Sequence, residues 1–194
     1  MIGSVLAFAL LVPSADLLGA ETVPNLGRFL EQYLGVCGDN EDPLFDYKTC
    51  EREAAEARSR RSGKVLKVEV QTESDQVQFA GFDQKKQAYR IHLTPFFTER
   101  GLGLSAGKPE ARASDGLPSV RNVPVWVKVA NGQDDFSVRR ELERGMLRLE
   151  VFFKPGQPWA LRKRGEAGSY RGASMSLVRI RVHGSRGLLA EQSY

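Results

Sequence analysis

Period-two alternation is the feature that most limits what this chain can fold into. Residues 144–159 read RGMLRLEVFFKPGQPW. Leu147, Leu149, Val151 and Phe153 alternate there with Arg148, Glu150, Phe152 and Lys154. Successive strand side chains point to opposite faces, so the pattern predicts a strand with one buried and one wet side. Pro155-Gly156 is expected to stop it. The period returns at Leu66, Val68 and Val70, at Val77, Phe79 and Gly81, and at Tyr89, Ile91 and Leu93. It returns again at Val125, Val127 and Val129, and at Val178, Ile180 and Val182. Residues 101–105 and 188–192 are less regular candidates. One-sided alternation implies antiparallel sheet. The expected body is mainly β (α+β), an antiparallel β-barrel or sandwich of six to eight strands, possibly OB-like, with two N-terminal helices.

Those helices are read from a different period. Leu26, Phe29, Leu30, Tyr33 and Leu34 fall on one helical stripe, with Asn25 placed to cap its start and Gly35 its end. The far side carries Glu31 and Gln32 with only Arg28, so the stripe is expected to pack on the core and not on a membrane. Residues 47–61 form the second expected helix, with Ala54, Ala55 and Ala57 inside it and Arg58, Arg60 and Arg61 suited to its C-terminus. A short helical turn is expected over residues 136–143.

Residues 2–12 are an unbroken small and apolar run, ended by Pro13, Ser14 and Asp16. The run has the length of a signal-peptide core and is short for a bilayer span. Gly19-Ala20 offers a cleavage point before Glu21, although the run is preceded by no Lys or Arg. The expectation is a signal peptide at 1–20, a helical segment at 21–63 packed on the same domain, and a β-rich body at 64–194. It places the mature chain in the periplasm or outside the cell, with no transmembrane span. The two cysteines, Cys37 and Cys50, fit that compartment as a disulfide. Closing so short a loop contributes about 3 kcal/mol in the chain-entropy picture.

Catalytic and metal motifs are not legible. The acidic run CGDNEDPLFD at 37–46 fails the EF-hand spacing, because Leu44 stands where the turn glycine belongs. His92 and His183 both fall on polar strand faces, and no G-x-S-x-G accompanies them. GLSAGK at 103–108 is one residue short of a P-loop, with Pro109 in the magnesium-ligand position. No cofactor is expected.

Charge is uneven. Residues 1–100 carry 12 Lys/Arg and 15 Asp/Glu, whereas residues 101–194 carry 16 and 9. Arg148, Lys154, Arg179 and Arg181 with Phe152 and Trp126 are candidates for an anion-binding strand face, as in an OB-like domain. The competing reading is a solvated face that keeps a sheet soluble. Export disfavours nucleic acid as the ligand.

Three segments, FLEQYLGVC (29–37), TPFF (94–97) and FFKPGQPWAL (152–161), together resemble an uncharacterised family of small exported bacterial proteins. The resemblance implies a periplasmic or secreted chain and assigns no functional residue. The expected function is therefore a non-enzymatic exported binding or structural module of unknown ligand, with an envelope protein or anionic polymer as candidate partner. The alternatives are a secreted hydrolase with an unrecognised carboxylate or Ser site, and an anionic-polymer-binding OB-like domain.

Overall fold

The computed structural model describes residues 19–36, 47–129, 134–163, 165 and 168–194. Most of the expected signal segment, Cys37 and the acidic run at 37–46 lie outside them. In chain order the described elements begin with β1 (Glu21–Val23), α1 (Leu26–Leu34), α2 (Tyr47–Arg61), β2 (Leu66–Gln71), β3 (Val77–Asp83) and β4 (Ala88–Leu93). They continue with β5 (Phe96–Glu99), β6 (Leu102–Ala106), β7 (Glu110–Ala111), β8 (Pro118–Ser119) and β9 (Val123–Val127). The last are α3 (Asp135–Arg144), β10 (Arg148–Arg162), β11 (Ser169–Gly184) and β12 (Gly187–Ser193).

The larger sheet has the order β1-β2-β10-β11-β6-β5, with β12 also paired to β11. A smaller sheet has the order β3-β4-β9. The antiparallel expectation holds for most pairs but not all. β1 runs parallel to β2, and β6 runs parallel to β11. Among the described residues no sheet closes, so the barrel and OB-like expectation gives way to a mainly β, sandwich-like arrangement.

The long hairpin of β10 and β11 is the spine. Pro155-Gly156 does not end β10, which runs on to Arg162. Pro155 pairs with Met175 and Pro158 with Ala173, so two residues on β10 face one on β11. A bulge of this kind absorbs prolines that cannot donate to the ladder. Gly156 is needed inside it, because a β-carbon there would stand 2.6 Å from the Ser174 hydroxyl. A second register shift, between Phe152 and Phe153, leaves both rings buried.

One core joins the layers. It unites Phe29, Leu30 and Tyr33 of α1 with Val68, Leu149, Val151 and Ile180 of the larger sheet and with Ile91, Leu93, Val125 and Val127 of the smaller. Val138 and Leu142 of α3 complete it. The caps read from sequence are present. Asn25 accepts from the Arg28 backbone N–H at 2.8 Å, and Gly35 adopts the left-handed conformation at φ 63°. The Tyr33 hydroxyl donates to the Gly156 carbonyl at 2.8 Å, tying α1 to the β10 bulge.

A cleft on the outer face

Beyond the bulge, the hairpin exchanges neighbours. Its near half is flanked by β2 on the β10 side and β12 on the β11 side; along its far half β11 takes β6 as its neighbour instead, and β5 pairs with β6 beyond it. Cross-strand register there places Trp159, Gly172, Gly103 and Thr98 in one row across four strands. Leu104 and Ala173, the next residues along, belong to the core, so this row faces the opposite side of the sheet. The two glycines make the row. A β-carbon at Gly172 would stand 2.2 Å from Trp159 Cζ2, and one at Gly103 would stand 3.0 Å from it. The indole therefore lies against bare backbone, 6% exposed but outside the main core. Its Nε1 is buried with no hydrogen-bond partner among the described residues. An orphaned buried donor is costly and uncommon.

Three chain segments wall in a cleft of about 750 Å³ around this row. The sheet supplies Phe96, Trp159 and Tyr170, with the Phe96 and Trp159 ring centroids 6.1 Å apart. The β2–β3 turn supplies Glu73, Asp75 and Gln76. The third wall comes from residues 107–119. It folds into the β7–β8 hairpin, held by the Arg112 N–H donating to the Leu117 carbonyl at 2.9 Å, and Arg112, Leu117 and Ser119 line the cleft. Such a volume lies within the ~300–1,000 Å³ typical of ligand pockets.

Some of the charged lining is already engaged. Glu99 accepts from the Gly27 N–H at 3.0 Å, Arg100 pairs with Glu31 at 3.0 Å, and Arg112 pairs with Asp115 at 3.0 Å. Lys163 Nζ stands 5.3 Å from the Tyr170 ring centroid. By contrast, the carboxylates of Glu73 and Asp75 have no cation within ion-pair distance among the described residues.

The anion-binding candidates sit elsewhere. Arg148, Arg179 and Arg181 share the outer face of the near half of the hairpin. Arg148 pairs with Glu69 at 3.3 Å, Arg179 with Glu191 at 2.5 Å, and Arg181 with Glu191 at 2.5 Å and Glu150 at 3.4 Å. Glu191, hydrogen-bonded to Arg181, holds that guanidinium above its ordinary pKa. Arg179 was expected in water and is instead buried, as is Phe152, over whose ring Arg181 lies at 5.3 Å. The alternation marks the side of the sheet, but β12 and this ion-pair layer cover it. Lys154 stands apart and exposed, beside Gly63 and Lys64. Trp126 belongs to the other sheet, its indole donating to Asp83 at 3.3 Å and Lys86 Nζ resting 3.1 Å from its ring centroid.

His183 stands 3.6 Å from Glu150 within the same layer, and His92 lies on β4 opposite Pro124. Cys50 is in the first turn of α2, and its expected partner Cys37 lies outside the described residues. Among the described residues no cluster of three or more His, Cys, Asp or Glu could hold a metal, and no helix is long and apolar enough to cross a membrane.

Sequence reasoning missed the cleft because it ended β10 at Pro155-Gly156 and so left Trp159 off the sheet. Gly103 and Gly172, strand positions without a side chain, are the signal that the sequence holds.

A family model described as a family of unknown function (DUF6066) matches residues 7–188. No curated protein and no solved structure matches the chain.

Proposed function

We propose that this chain, which belongs to the DUF6066 family of unknown function, is an exported, non-enzymatic binding module whose ligand occupies the cleft around Trp159. The observation that carries the reading is the clamp itself. Two strands give up their side chains, at Gly103 and Gly172, so that an indole can lie flat against bare backbone as the floor of a concave, aromatic-walled surface. A core needs no such arrangement, since Trp159 stands outside the main one.

Export is supported by the apolar run at residues 2–12 and by a cysteine pair suited to an oxidising compartment. The mature chain then begins near Glu21 with Cys37 joined to Cys50.

Two measurements test these claims. Intact-mass analysis of the native protein should give a chain without residues 1–20 and with no alkylatable thiol before reduction. A mass that includes residues 1–20, or two free thiols, contradicts export and the disulfide. For the cleft, wild type and Tyr170→Ala should be compared on fractionated envelope extract. The reading expects a defined component retained by wild type and lost with Tyr170→Ala. Equal retention by both contradicts it.

A further inference from the structure

From the same cleft we infer the class of ligand, a neutral oligosaccharide; this rests on the cleft being the binding site. The aromatic side chains set the first requirement. Phe96 and Tyr170 are half-buried and share the cleft with Trp159. Rings with negative faces attract the weakly positive C–H edges of a pyranose and shield them from water. An extended hydrophobic ligand would meet the polar half of the lining unpaired.

The polar groups set the second. Glu73 and Asp75 have no cation partner among the described residues, and carboxylates accept strong, charge-assisted hydrogen bonds from neighbouring hydroxyls. Asn122 accepts from the Thr94 hydroxyl at 2.8 Å through Oδ1, which leaves its amide N–H groups as donors. The Thr98, Ser119 and Ser169 hydroxyls can donate or accept.

Charge decides between ligand classes. A polyanion would meet Glu73 and Asp75 across the same opening that holds Lys163 and Arg171. A polycation would meet the opposite conflict. A neutral polyol uses both signs, because each hydroxyl is donor and acceptor.

The test uses the full mature chain carrying Trp126→Phe, so that Trp159 is the single tryptophan. Cellotetraose and chitotetraose are the neutral probes, and a heparin tetrasaccharide is the anionic one. The expected result is a saturable change in Trp159 fluorescence with at least one neutral probe, unaffected by added salt. Asp75 is exposed. Asp75→Asn should therefore leave folding intact while weakening that binding by about tenfold or more, the scale of a lost charge-assisted hydrogen bond. Tyr170→Ala should weaken it similarly. No response to either neutral probe overturns the inference. A response to heparin alone, falling steeply with salt, overturns it too, yet leaves the cleft standing as the binding site.

Discussion

A β-carbon on Gly172 would stand 2.2 Å from Cζ2 of Trp159, so the indole occupies space that any other residue at 172 would claim. The same β-carbon would stand 2.2 Å from the Gly103 carbonyl oxygen. Neither the ring nor the backbone can yield cheaply. Gly172→Ala should destabilise the fold by about 1–3 kcal/mol, the range for overpacking. It should also move Trp159 fluorescence. Urea denaturation followed by emission reads both. An unchanged midpoint with an unchanged spectrum would show that the indole is not clamped.

The β10 register predicts a sharp asymmetry between neighbours. Leu149 is fully buried, and Arg148 is exposed with a partly exposed partner. Leu149→Ala should cost about 2–5 kcal/mol, and Arg148→Ala under about 0.5 kcal/mol. Equal shifts of the urea midpoint would contradict this register.

Glu191 holds both Arg179 and Arg181. Wild-type protein should therefore bind heparin weakly, and Arg179→Ala should not change that. Glu191→Gln removes the counter-charge and should produce binding that falls steeply with salt, as counterion release requires. Strong wild-type binding lost on Arg179→Ala would restore the anion-binding reading of this face.

The α3 N-cap gives a pH dependence. The Ser137 hydroxyl and N–H both donate to Asp134, and the hydroxyl bond, as the larger cause, holds the Asp134 carboxyl below its ordinary pKa. A depressed carboxylate pKa means the folded state favours the charged form. The contribution is present above the ordinary aspartate value and is lost as pH falls through the folded one. Asp134→Ala should flatten the acid limb of the stability curve and leave the neutral-to-alkaline slope alone. An unchanged acid limb would mean that the cap does not couple to folding.

Much of the fold was legible because it follows local chemistry. The stripe Leu26, Phe29, Leu30 and Tyr33 and its caps at Asn25 and Gly35 need nothing beyond their own segment. The alternation of Leu149 and Val151 with Arg148 shows directly which side is buried. What sequence could not show depends on distant partners. Arg179 and Phe152 alternate as wet residues and are buried because Glu191, Glu150 and Arg181 arrive from other positions. Pro155-Gly156 reads as a stop, and only the opposing Ser174 turns it into a bulge. The parallel pairing of β6 with β11 carries no local signature, yet it is what sets Gly103 beside Gly172 and creates the cleft.

The central claim is that the cleft around Trp159 is where this protein binds. Its most direct test is the indole Nε1–H resonance of Trp159 in the 15N-labelled protein, titrated with fractionated native extract. Trp126, hydrogen-bonded to Asp83 in the other sheet, is the internal control. The account predicts a saturable shift of the Trp159 resonance as ligand fills the cleft beside its ring, with Trp126 unmoved. A shift at Trp126 alone, or binding by the protein that leaves Trp159 unmoved, would contradict it.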